Sequence, residues 1–174
     1  TPAGRVLFEA NDFTQGAADH GVIVYSGRGL VVRDNVFHNP FDRVVHVASQ
    51  EPELLSGRAL VEGNVFFDSD WDRVRERPGA AGDIANDGGG ANEVVRLIGE
   101  GHVFRNNLLL ANNRGNDAEC HAALTMSTWA HEPYRNERNL HNHIYGNAFV
   151  DNATSAVSIS DGLDTDGNAD NVVA

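Results

Sequence analysis

Val31-Val32-Arg33-Asp34-Asn35-Val36-Phe37-His38-Asn39 and its later counterpart His143-Ile144-Tyr145-Gly146-Asn147-Ala148-Phe149-Val150-Asp151-Asn152 share one frame. An asparagine follows a short β-prone stretch, and an apolar residue comes two positions after it. The frame recurs at Asn11/Phe13, Asn35/Phe37, Asn64/Phe66, Asn107/Leu109, Asn147/Phe149 and Asn171/Val173. Upstream lie paired positions two apart: Val6/Phe8, Leu30/Val32, Ala59/Val61, His102/Phe104 and Asn142/Ile144. A spacing of two is the period of a strand, so each unit reads as strand, fixed turn, strand. A polar residue follows at offset four or five in several units: Asn39, Asp68, Asn112 and Asn152.

The asparagines are separated by 24, 29, 43, 40 and 24 residues. A short repeat lengthened at one place predicts a solenoid, with the insertions as loops on one side of the stack. A further strand follows each asparagine, over 21–26, 44–49, 94–99, 122–127 and 156–161. Its expected inward residues are Val22, Val45, Val95, Ala123 and Val157, then Val24, Val47, Leu97, Thr125 and Ile159. The outward column then reads Ile23, His46, Arg96, Leu124, Ser158. Strands stack about 4.8 Å apart, so equivalent asparagines should form a ladder of amide bonds. Helical periodicity is weak, and only 70–77 reads as a turn or two of helix.

Composition sets the outer limits. The 174 residues suit one domain, 1–174, and 41% apolar content supplies a core. No apolar run reaches the ~18 residues of a membrane helix. The formal charge of -12 disfavours nucleic acid and anionic lipid as partners. There is no lysine, which excludes Schiff-base and phosphate-loop chemistry. Cys120 is the single cysteine, so no disulfide forms within the chain. Thr1-Pro2-Ala3-Gly4 carries no signal-peptide character. Both ends cut into a repeat, so the sequence reads as a segment of a longer solenoid or as a chain that associates end to end.

Function should sit on the strand set flanked by the long insertions, because loops on a rigid scaffold carry most chemistry. His46 and Arg96 would be outward neighbours there, with His20, Asp42, Arg43, Glu93, Glu119 and His121 at the strand entrances. A histidine can take a proton near neutral pH, and an arginine can clamp a carboxylate at two points. Asp68, Asp70 and Asp72 alternate, as oxygen ligands converging on Ca²⁺ can. Asp-rich helix starts have the same pattern. Trp71 and Trp129 lie in the insertions, where an indole can stack on a sugar or cap the core. Glu93 with Glu119 is the acidic pair a glycoside hydrolase would need. His102 falls at an apolar-favoured position and reads as a satisfied core histidine, while His141 and His143 share a face without a nameable third ligand.

The two quoted stretches resemble coils of the right-handed parallel β-helix proteins, a superfamily that includes pectate lyases, chondroitinase B and alginate lyases. The resemblance extends over nearly the whole chain. It implies a right-handed parallel β-helix of about five coils and a secreted, extracellular or periplasmic protein. It also implies a groove for an acidic polysaccharide, where Ca²⁺ or arginine neutralises a uronate carboxylate and a base takes the C5 proton. His46, Arg96 and His121 are the residues positioned for those roles, with Arg43, His20, Trp71 and Trp129 for substrate. Glu93, Glu119, Asp68, Asp70 and Asp72 are the candidates for calcium. The lysine base of the chondroitinase B and alginate lyase group has no counterpart here. The alternative is a non-catalytic surface, assembly or carbohydrate-binding module.

Overall fold

The computed structural model describes residues 5–14, 23–25, 28–38, 44–47, 57–69, 94–112, 122–127, 139–153, 155–160, 168–169 and 172–174. Among these, every regular element is a strand, and none is a helix long and apolar enough to cross a membrane. The strands come in successive triples. The first is β1 (Val6–Glu9), β2 (Asp12–Thr14) and β3 (Ile23–Tyr25), and the second is β4 (Leu30–Arg33), β5 (Val36–His38) and β6 (Val45–Val47). Next come β7 (Leu60–Glu62), β8 (Val65–Phe67) and β9 (Val95–Leu97), then β10 (Val103–Arg105), β11 (Leu108–Leu110) and β12 (Leu124–Ser127). A short β13 (Asn139–Leu140) precedes β14 (His143–Tyr145), β15 (Ala148–Val150) and β16 (Val157–Ser160). The chain closes with β17 (Asn168–Ala169) and β18 (Val172–Val173).

Equivalent strands of successive triples pair in parallel. The first sheet runs β1-β4-β7-β10-β14-β18, the second β2-β5-β8-β11-β15 and the third β3-β6-β9-β12-β16, with β13-β17 beside them. Each triple is therefore one level of a stack, an arrangement consistent with a parallel β-helix or solenoid. Parallel sheets need both faces covered. The inner faces meet in one core that includes Val32, Val61 and Phe104 from the first sheet, Phe37, Phe66 and Leu109 from the second, and Val45, Leu97 and Met126 from the third.

The turn from the first sheet to the second contains the asparagine ladder. Asn35, Asn64 and Asn107 are fully buried, and Asn147 is half-buried. Both the backbone N–H and Nδ2 of each asparagine donate to Oδ1 of the next. The Nδ2 distances are 2.9 Å for Asn11 to Asn35 and 3.0 Å for Asn35 to Asn64, Asn64 to Asn107 and Asn107 to Asn147. Phe13, Phe37 and Phe66 stack beside it with centroids 4.9 and 4.8 Å apart, and Leu109 and Phe149 continue the column. One residue before each asparagine the backbone is left-handed, at Ala10, Asp34, Gly63, Asn106 and Gly146.

The other two turns repeat the device. From the second sheet to the third, Asp68, Ala111 and Asp151 are left-handed and are followed by Ser69, Asn112 and Asn152. There Ser69 N–H donates to Asn112 Oδ1 at 3.3 Å, and Asn112 N–H donates to Asn152 Oδ1 at 3.0 Å. The polar column thus sits at offset five, and Asp68, grouped with it by sequence, forms the bend instead. From the third sheet to the first, Gly29, Arg58, Gly101 and His141 are left-handed, and Leu30, Ala59, His102 and Asn142 follow.

Close approach between levels also fixes one glycine. A Cβ at Gly57 would lie 2.7 Å from the Glu100 carbonyl oxygen, a backbone atom that already accepts from Arg58 N–H at 2.8 Å. Gly57→Ala should therefore destabilise by about 1–3 kcal/mol through a forced shift of two levels. Denaturant titration checks this, and an unchanged midpoint would show that the levels separate freely there.

Candidate functional site

The third sheet carries His46 and Arg96, two of the residues that sequence pattern nominated. Register aligns Ile23, Val45, Val95, Leu124 and Val157 in one column and Val24, His46, Arg96, Thr125 and Ser158 in the next. Val45, Val47, Val95, Leu97, Leu124 and Met126 belong to the core, so strand alternation turns His46, Arg96 and Thr125 to the opposite face. His46 and Arg96 are direct neighbours on adjacent strands, as expected.

Two strands, β3 and β12, depart from the expected register by one residue, and Val24, expected inward, is level with His46. Val22 and Ala123 were placed level with Val45 and Val95, but Ile23 and Leu124 occupy those levels. Thr125, expected inward, stands in the outward column beside Arg96, and Leu124, expected outward, is in the core. Both segments are apolar on both faces, so alternation could not fix their register.

The outward column is not an open, solvated surface. Arg96 is 3% exposed and Thr125 2%, while His46 and Ser158 are half-buried. Every residue of β9 is buried, so both faces of that strand are covered. The Thr125 hydroxyl is buried with no hydrogen-bond partner among the described residues. A guanidinium in such a place provides a strong field, because little water screens it. Paired with a half-exposed imidazole about 4.8 Å away at the backbone, it can hold an anion while the imidazole exchanges a proton.

Of the other nominated residues, His20, Asp42, Arg43, Asp70, Trp71, Asp72, Glu93, Glu119, His121 and Trp129 lie outside the described residues. Asp68 is described. Its carboxylate is 3.8 Å from His38 Nε2, and the His38 ring stacks on Phe67 at 4.4 Å. Among the described residues no group of three or more His, Cys, Asp or Glu could hold a metal ion.

His102 is a core histidine satisfied on every side. Its Nδ1 accepts from Ala59 N–H at 3.2 Å, and its Nε2 lies 3.1 Å from the Ile98 carbonyl, which requires the proton on Nε2. Its own N–H donates to Asn142 Oδ1 at 2.7 Å. Burial pushes the imidazole down to about 4, against a smaller upward pull from the Ile98 carbonyl. The ring takes the place of an asparagine amide in the third turn, a role visible only once the levels are aligned. His141 and His143 are exposed, at the left-handed bend and on the outer face of the first sheet.

No protein-family model, curated protein or solved structure matches the chain. The fold itself defines the class, a stack of parallel sheets built from an asparagine-marked repeat.

Proposed function

We propose that the chain is a right-handed parallel β-helix of about five coils that acts on an acidic, uronate-containing polysaccharide by lyase-like β-elimination. The observation that carries this reading is the register pairing of His46 with Arg96 on the outward column of the third sheet. Arg96 would hold the uronate carboxylate and stabilise the charge that develops on it. His46 would take the C5 proton, the electron pair would form the C4–C5 double bond, and the C4–O bond would break. The departing oxygen would collect a proton from water. His121 would assist, with Arg43, His20, Trp71 and Trp129 along the sugar chain. Ca²⁺, if used, would find its oxygen ligands among Glu93, Glu119, Asp68, Asp70 and Asp72. Such a protein belongs outside the cytoplasm, in the extracellular space or periplasm, where its polymer is found.

The burial of Arg96 favours a second reading, in which the guanidinium is structural and the chain is a carbohydrate-binding or surface module without turnover. One experiment separates the two. Uronate polymers are incubated with the protein, with and without calcium, and the ultraviolet absorbance of the unsaturated product is followed. His46→Ala should abolish turnover with its melting temperature nearly unchanged. Turnover that survives both His46→Ala and Arg96→Ala would overturn the assignment, and binding without product would select the module.

A further inference from the structure

We propose that the outer face of the first sheet is a self-association surface, on which a second copy of this chain docks face to face with its levels running the opposite way. Two columns of that face point outward, because the column between them, with Val32, Val61 and Phe104, belongs to the core. One outward column is Leu7, Val31, Leu60 and Val103, and the other is Glu9, Arg33, Glu62 and Arg105. The first is apolar over these four levels, with Leu7 52% exposed and the other three half-buried. The second alternates in sign from level to level, and all its members are exposed or half-buried.

Within one chain the alternating charges already act in pairs. Arg33 Nε donates to Glu9 Oε1 at 2.6 Å, and Arg105 Nε donates to Glu62 Oε2 at 2.7 Å. Both are ion pairs, so these four levels carry no net charge on this face of a chain that carries -12. A second copy meets less repulsion here than the overall charge would impose. The internal pairs do not exhaust the groups. A guanidinium has five donors and a carboxylate about four acceptor sites, so both can also bond across an interface.

The order of the charges selects the partner and its direction. Along the stack the signs run minus, plus, minus, plus, and in reverse they run plus, minus, plus, minus. Consider a copy turned about a two-fold axis that is parallel to the strands and passes between the levels of Arg33 and Glu62. Glu9 then faces Arg105 of the copy, and Arg33 faces its Glu62. The same rotation sets Leu7 against Val103 and Val31 against Leu60, apolar on apolar. Packed sheets lie about 10 Å apart, within reach of facing arginine and glutamate side chains. Sliding the copy by one level sets Glu9 against Glu62 and Arg33 against itself, and like charges placed opposite are costly. A copy running the same way meets like charges when level with the first, and when offset by one level it does not form a closed symmetric pair. A polymer of a single charge sign would be opposed at every second level, so the face fits a second copy better. Four levels by two columns is small against the roughly 800 Å² per partner of a standard interface, so the dimer is weak and reversible. The His46–Arg96 column is on another sheet and is not part of the contact.

The test is sedimentation equilibrium of the whole chain from micromolar to millimolar concentration. The expected result is a reversible monomer–dimer equilibrium that added salt weakens. E9R/R33E and E62R/R105E each keep an opposite-charge pair within the chain but set like charges against like across the two-fold axis. Each alone should therefore dimerise at least about tenfold more weakly than the parent. Mixed in equal amounts, the two variants should associate with the parent's affinity, because every facing pair is then opposite in sign. Melting temperatures confirm that both variants fold. A parent chain that stays monomeric to millimolar concentration would overturn the surface. So would variants that dimerise as the parent does, or a mixture that associates no more tightly than its components.

Discussion

Between about pH 6.5 and pH 4 the protein should lose about 3 kcal/mol of stability that an H102N variant does not lose. His102 is wholly buried, and its folded-state pKa lies at about 4, below the 6.5 of a free histidine. The unfolded chain therefore binds a proton first as the pH falls. The stabilisation is fully present above about pH 6.5, declines through the interval and is exhausted below about pH 4. Burial is the cause, because the enclosed ring has no water to solvate a charge; a proton on Nδ1 would also face the Ala59 N–H that now donates to it. Asparagine fits the site, because Asn142 already receives His102 N–H at the next level of the same column. H102N should keep most of the neutral-pH stability through an equivalent bond from Ala59. The measurement is the denaturant midpoint of both proteins across the interval. Parallel curves would show that the imidazole is not the group responsible.

Asn107→Ala should cost about 3–5 kcal/mol, among the largest effects of a single truncation here. Asn107 Oδ1 accepts from both N–H and Nδ2 of Asn64, and its Nδ2 donates to Val61 O and Asn147 Oδ1, all at 3.0 Å. Removing the amide leaves partners on two neighbouring levels unpaired inside the protein, where each costs about 1–3 kcal/mol. Asn11→Ala makes the comparison fair, because Asn11 is exposed and its Nδ2 donates to Asn35 Oδ1 and to the Glu9 carbonyl of its own level. Its loss should stay near 1 kcal/mol or below. Equal melting temperatures for the two variants would refute the ladder as a source of stability.

The ladder, the phenylalanine column and the paired strand positions were legible because every level must repeat them. A solenoid gives the same residue the same neighbours each time, so the pattern survives insertions of any length after the asparagine. Legibility failed where a segment lacks a polar mark. Val44-Val45-His46-Val47 announces its register through His46, whereas Ala122-Ala123-Leu124-Thr125-Met126 accepts either frame, and the one-residue slip reversed Leu124 and Thr125. The burial of Arg96 was equally invisible, since an arginine on an outward column ordinarily stays in water. The left-handed residues escaped notice for a different reason. Ala10, Arg58 and Ala111 adopt that conformation without being glycine, so the bends leave no consistent residue type behind. Much of the proposed site lies in the insertions, where no repeat constrains the reading.

Between levels, every amide-to-amide bond of the asparagine ladder has the same sense, from an Nδ2 donor to the Oδ1 acceptor one level further toward the C-terminus. The two faces of a level are therefore unlike. A second copy related by a two-fold axis would bring like faces together, and the ladder bond could not form across that contact. Any continuation of the stack, by further chain or by another molecule, must arrive head to tail. Such contacts repeat by translation and do not close on themselves, so self-association through the levels would yield filaments in preference to dimers.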